Sequence, residues 1–157
     1  MRELYNSDKK LLLKEELLQP TDPSFMDETG RPRWRKYIQF GDECGFDTRY
    51  KDKTGHHTSR MVLPIGKKVI RYGFEGGSFT TDEGEAYEKL SLPYRKETMP
   101  YHEYIVSGHC EVECLVDKGI TAPGFSSEGG AVQYRHYVTI HDSLLQGILT
   151  EDMTWLY

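Results

Sequence analysis

From Met61 onward the chain alternates short β-rich runs with glycine and proline, and this pattern limits its possible folds more than any other feature. The clearest run is Gln133 to Ile140. Tyr134, His136, Val138 and Ile140 face one way there, and Gln133, Arg135, Tyr137 and Thr139 the other. Cys110, Val112, Cys114 and Val116 alternate in the same manner. Val69 to Tyr72 and Ser78 to Thr81 read as two strands joined around Gly76-Gly77, and His102 to Val106 as a third. After the last strand, Asp142 or Ser143 caps a short helix carrying Leu144, Leu145, Ile148 and Leu149. Residues 7 to 19 read as another helix, capped by Ser7 or Asp8, with Leu11, Leu12, Leu13, Leu17 and Leu18 on its apolar face and Pro20 at its end. Strands clustered between terminal helices predict an α+β fold, a small twisted antiparallel β-sheet with helices near the N- and C-termini. The sequence has no GxGxxG fingerprint and no internal repeat, which argues against a doubly wound parallel sheet.

With 157 residues the chain is the size of one domain. Residues 1–60 read as a helical or irregular extension packed on the core, and 61–157 as the domain proper, together one compact unit. A net charge of −5 argues against a general nucleic-acid binder. The apolar runs are too short to insert in a membrane, and the N-terminus turns charged at once, unlike a signal peptide. Cys44, Cys110 and Cys114 make an odd, low count that builds no disulfide framework, so they read as buried free thiols. His56-His57, His109-Cys110 with Cys114, and His136 with His141 lack a four-ligand spacing, so no metal site is expected.

Three stretches carry chemistry. Lys67-Lys68-x-x-Arg71 runs into Tyr72-Gly73 and Gly76-Gly77, where an arginine can grip phosphate oxygens and glycines let a ligand approach the backbone. Tyr101-His102-Glu103-Tyr104 is a polar and aromatic knot at a strand start. Ala122-Pro-Gly-Phe-Ser-Ser-Glu-Gly-Gly-Ala-Val-Gln133 is a glycine-rich loop entering a strand at an amide, which both donates and accepts hydrogen bonds and so suits a sugar hydroxyl or a carboxamide. Read singly, the first also fits a solvated basic turn, the second a structural histidine and the third a plain loop-to-strand transition.

Their order is more specific. Leu63-Pro-x-Gly-x-x-x-x-Arg71-Tyr-Gly, Gly77-x-Phe79, Tyr87-Glu-x-x-x-Leu92-Pro93, Tyr101-His-x-Tyr104-x-Val106, Gly119-x-x-Ala122-Pro-x-Phe125 and Gly129-Gly130-x-x-Gln133-Tyr134 follow one another, closing on Ile140-His-Asp-Ser-Leu-Leu-Gln-Gly-Ile-Leu149. This series resembles the tuberculosis necrotizing toxin family of NAD(+) glycohydrolase domains over residues 63–149, with no match for residues 1–60.

The resemblance implies cleavage of the nicotinamide–ribose bond of NAD(+), and of NADP(+), to nicotinamide and ADP-ribose, with the dinucleotide as substrate and no further cofactor. It implies a secreted or delivered effector that depletes the cofactor in a target-cell cytosol, and a cognate immunity protein that plugs the cleft. Arg71 would hold phosphate, Phe79 would pack on the nicotinamide or its ribose, and Gln133 would orient the ribose and attacking water. His102 matches a histidine implicated in activity, while Tyr72, Gly129 and Gly130 would shape the cleft. One cleft formed by Arg71, Phe79, His102 and Gln133 is expected.

One position departs from the family. Leu90 stands two residues before Leu92-Pro93, where the family carries an arginine. Lys89 is adjacent, but a strand neighbour points the opposite way. Arg95 and Arg135 remain as replacement cations, with Arg135 favoured because alternation places it on the face of Gln133. Loss of the cation would leave a catalytically weak or inactive dinucleotide-binding module. A cyclase or transferase on the same scaffold is the other alternative. Glu128 reads as an exposed loop carboxylate.

Overall fold

The computed structural model describes residues 4–5, 11–12, 27–29, 31–92, 96–107, 113–125 and 127–154. Its elements, in chain order, are β1 (Leu4–Tyr5), β2 (Leu11–Leu12), α1 (Trp34–Tyr37), β3 (Ser59–Val62), β4 (Lys68–Tyr72), β5 (Phe79–Asp82), β6 (Tyr101–Val106), β7 (Leu115–Ile120), β8 (Val132–His136), α2 (Ile140–Leu145) and β9 (Leu149–Glu151). Seven of the strands form one sheet in the order β3-β7-β8-β5-β4-β6-β9, and β1 pairs with β2. Short helices near each end complete the expected α+β architecture.

The chain divides into two compact units, and the division does not follow the boundary at residue 60. One unit comprises Thr58–Glu85, Met99–Gly119 and Val132–Tyr157; the other comprises Met1–His57, Ala86–Thr98 and Ile120–Ala131.

In the first unit, one face of the sheet is apolar. Val69, Tyr104, Val106, Tyr134 and Leu149 project from it and pack with Leu63, Cys114, Val116, Ile140 and Ile148. Each such side chain contributes about 1.5–3 kcal/mol by leaving water. A one-residue slip of any strand would turn its apolar set outward, so this cluster fixes the registers. Helix α2 covers the cluster through Ile140 and is started by Thr139, whose side chain accepts from the Asp142 N–H.

The second unit is built on backbone pairing between two distant segments. Asp47 N–H donates to Ile120 O, Ala122 N–H to Gly45 O, Gln39 N–H to Pro123 O and Phe125 N–H to Tyr37 O. Phe125 is fully buried, edge-on to Trp34 at 5.3 Å and stacked on Tyr37 at 5.6 Å. A Cβ at Gly124 would lie 2.3 Å from Ile38 Cδ1 and 2.8 Å from Tyr37 O, so only glycine admits this approach.

Three sequence expectations are corrected. Leu11–Leu12, expected within a helix over residues 7–19, is extended and pairs antiparallel with Leu4–Tyr5; the rest of that span lies outside the described residues. A short apolar run fits either element, and pairing decides. The strand from Gln133 stops at His136, because Thr139 becomes the helix cap and Ile140, not Asp142 or Ser143, starts the helix. The strand expected from Cys110 begins at Leu115 instead, and Cys110 and Val112 lie outside the described residues.

Candidate functional site

In an antiparallel ladder, residues opposite each other project from the same face. Glu103 faces Ile70, Ile70 faces Thr81, and Thr81 faces Gln133, which makes one row across four strands. Arg135 faces Phe79 and Tyr72 faces Tyr101, on that same side by alternation. Arg71 faces His102, and both project from the other side, with Tyr104, Tyr134 and His136. The sheet therefore groups Tyr72, Phe79, Gln133 and Arg135 on one face and Arg71 with His102 on the opposite one. The six residues do not share a single wall.

On the first face, Phe79 and Gln133 are half-buried. Arg135 is exposed, and its Nη1 lies 3.4 Å from Asp117 Oδ2, while Asp117 Oδ1 accepts from the Tyr137 hydroxyl at 2.8 Å. The Tyr72 and Tyr101 rings lie 5.0 Å apart, and the Tyr101 hydroxyl donates to Glu103 Oε2 at 2.5 Å. Lys68 gathers three carboxylates, Asp152 at 2.9 Å, Glu83 at 3.3 Å and Glu103 at 3.4 Å. Hydrogen bonding to Asp152 and Glu83 raises the Lys68 ammonium above its ordinary value, and Lys68 in turn lowers Asp152 to about 2. Burial, then the bond to Glu103, raises Tyr101 and keeps it a neutral donor.

On the other face, Arg71 closes a glycine turn. Its Nε donates to Phe74 O at 2.9 Å and its Nη1 to Phe79 O at 2.8 Å. Gly73 has φ +141°, a conformation that favours glycine, and a Cβ at Gly77 would lie 2.1 Å from Nη2, so a side chain there would displace the guanidinium. Burial lowers the Arg71 guanidinium from its ordinary value, while Tyr104 and Glu75 oppose that shift. Beside it, His102 Nδ1 lies 2.8 Å from Glu151 Oε1, and the Tyr104 hydroxyl donates to Glu75 Oε2 at 2.9 Å. An ionised carboxylate only accepts, so Nδ1 carries the proton and Nε2 of a neutral His102 keeps its lone pair.

Ligand atoms of Glu75, His102 and Glu151 all lie within 4.8 Å of one another, a nitrogen and two oxygens of the type that divalent cations take. The sequence reading missed this cluster. Its members come from a loop and two strands, and separations of 27 and 49 residues give no motif.

Gly129 and Gly130 belong to the second unit, in a turn with φ +67° and +90°. A Cβ at Gly129 would lie 2.4 Å from Thr121 O, and Gly130 N–H donates to that same oxygen at 2.9 Å. Their immediate task is to close this turn. Leu90, also in this unit, ends the short 3-10 helix Tyr87–Lys89 in helical conformation, so Lys89 is a helical neighbour and not a strand one. Glu128 is exposed, and Arg95 lies outside the described residues.

A profile described as "TNT: Tuberculosis necrotizing toxin" matches residues 62–151, more than half of the chain. Among solved structures, the chain is similar to one described as tuberculosis necrotizing toxin complexed with its immunity factor IFT. The two share 16% identity, 87% of this chain and 81% of that one are covered, and the TM-score is 0.52, a likeness of fold. A second structure, Rhs1-CT in complex with the cognate immunity protein RhsI1, aligns at 17% identity over 60% of this chain and 76% of that one, with a TM-score of 0.44. No curated protein sequence matches the chain.

Proposed function

The chain belongs to the tuberculosis necrotizing toxin family, and from that premise we propose that this toxin domain is an NAD(+) glycohydrolase. The observation that supports this best is the β5–β8 ladder. It sets Phe79 opposite Arg135, and Gln133 opposite Thr81, on one face. This is an aromatic surface, an amide and a guanidinium within two residues of each other.

The nicotinamide of NAD(+) leaves as a neutral base from a cationic ring, so no acid is needed to protonate it. The transition state resembles an oxocarbenium ion. What remains for the protein is to hold the ring and ribose in a reactive pose and to direct water at C1′. Phe79 supplies the flat surface, the Gln133 amide aligns ribose and water, and Arg135 takes the place of the arginine replaced at Leu90. Arg71 acts from behind the sheet. By holding the Phe79 carbonyl and the glycine turn it positions Phe79, and its charge favours a diphosphate near Gly73, Gly76 and Gly77. His102, held by Glu151, stands opposite Arg71 across the β4–β6 pair and flanks it on that face. NADP(+) is a second substrate in this reading. The domain acts as a delivered effector on the NAD(+) of a target cell, and a cognate immunity protein blocks the Gln133 face.

The test is NAD(+) consumption by the purified chain, with products separated by chromatography, beside Gln133→Ala and Arg135→Ala. Multiple turnover to nicotinamide and ADP-ribose that disappears in Gln133→Ala upholds the proposal. Loss in folded Arg135→Ala assigns the replacement cation. Binding of NAD(+) without turnover would make the chain a dinucleotide-binding relative, with Leu90 the decisive change. Cyclic ADP-ribose or a modified macromolecule would make it a cyclase or transferase.

A further inference from the structure

On the Arg71 face, the β6–β9 register sets Tyr104 opposite Glu151, so His102, Tyr104 and Glu151 project from the same side. Glu75 reaches them from the glycine turn, where its carbonyl accepts from the His141 N–H at 2.8 Å and so ties it to the start of α2. One ligand atom each from Glu75, His102 and Glu151 is thereby brought within 4.8 Å of the other two.

The side chains are already oriented. The Tyr104 hydroxyl holds Glu75 Oε2 at 2.9 Å, and the His102 ring stacks on Tyr104, 5.6 Å between centroids and 16° between planes. Outer contacts of this kind aim metal ligands. The cluster is also open to solvent ions, since the His102 and Glu151 side chains are 22% and 30% exposed. Two carboxylates this close repel each other. Among the described residues no Lys or Arg forms a salt bridge with either, because Lys68 serves Asp152, Glu83 and Glu103, and Arg71 donates to the Phe74 and Phe79 carbonyls. The Arg71 charge acts on Glu75, but the two carboxylates outweigh it. An imidazole nitrogen with two carboxylate oxygens suits zinc. The nitrogen disfavours magnesium and calcium, which take oxygen, and three protein ligands leave a fourth position for water.

We propose that Glu75, His102 and Glu151 bind one zinc ion, which ties β6 and the edge strand β9 to the glycine turn. The proposal does not rest on the glycohydrolase reading. His136, on the same face, serves as an internal reference. Its ring nitrogens are engaged by Thr80 and Cys114, and burial, reinforced by the Arg71 charge, lowers it to about 4.

The test is titration of the chelator-stripped full chain with zinc chloride, followed by competition with a chromogenic zinc indicator and by NMR of the histidine rings. The expected result is one-to-one saturable binding, with the His102 signals shifted, those of His136 unmoved, and a Tm that rises with zinc. Glu75→Gln and Tyr104→Phe keep the side-chain shapes, and each should weaken binding about tenfold or more while circular dichroism stays unchanged. Magnesium chloride at the same concentration should leave the His102 signals in place. Absence of saturable zinc binding would overturn the proposal. Shifts confined to other histidines, zinc affinity unchanged in both variants, or magnesium binding as tight as zinc would each overturn it as well.

Discussion

At Gly77 a Cβ would lie 2.1 Å from Arg71 Nη2, so the guanidinium would have to move away from the Phe74 and Phe79 carbonyls that it holds. Gly77→Ala should therefore cost about 1–3 kcal/mol of stability, the usual range for overpacking. Urea denaturation measures it, and the loss should be much smaller when Arg71 is already alanine, since the two share one contact. His136 offers a test by pH. Its folded value of about 4 lies below the unfolded value near 6.5, so between these the unfolded chain binds the extra proton. Stability present above pH 6.5 is then lost as pH falls towards 4, on the order of 3 kcal/mol in all. Denaturation at pH 4.5 and 7 should show this difference, and a folded His136→Gln variant should flatten it. Asp152, lowered to about 2 from 3.8, acts in a separate window, and its stabilisation is lost as pH falls below 3.8.

A six-residue helix has little stability of its own, so α2 depends on its cap and on Ile140 in the core. Thr139→Ala should lower stability by about 1 kcal/mol, read as a reduced urea midpoint with unchanged slope. The same element explains what was legible in the sequence. Strands β4, β5 and β6 are found within one residue of where alternation predicts them, because glycines and prolines bound them. The end of β8 was overrun because Tyr137, Val138 and Thr139 continue a strand pattern that also spells a cap. β3 and β9 escaped notice, being four and three residues long with little apolar alternation. For the candidate site, alternation within one strand correctly joined Gln133 to Arg135. It could not relate them to Arg71 or His102, because the face on which two strands meet depends on their register. That register is fixed by packing between distant residues.

For the whole molecule, the family match starts at residue 62, yet Ile120, Ala122, Pro123 and Phe125 take backbone partners from residues 37–47. A chain cut to residues 58–157 would strip Phe125 of Trp34 and Tyr37 and leave the N–H groups of Ala122 and Phe125 unpaired. It should be less soluble than the full chain and show a lower Tm or no cooperative transition, which solubility and thermal melts will measure. The N-terminal third, silent in motifs, thus contributes structure that no motif marks. This bears on where such a domain can be divided. A junction just ahead of the recognisable motifs, near Met61, would leave the fold incomplete, whereas one upstream of Trp34 keeps these pairing partners together. The structural module is longer than its signature, and its working boundary lies where the sequence looks least distinctive.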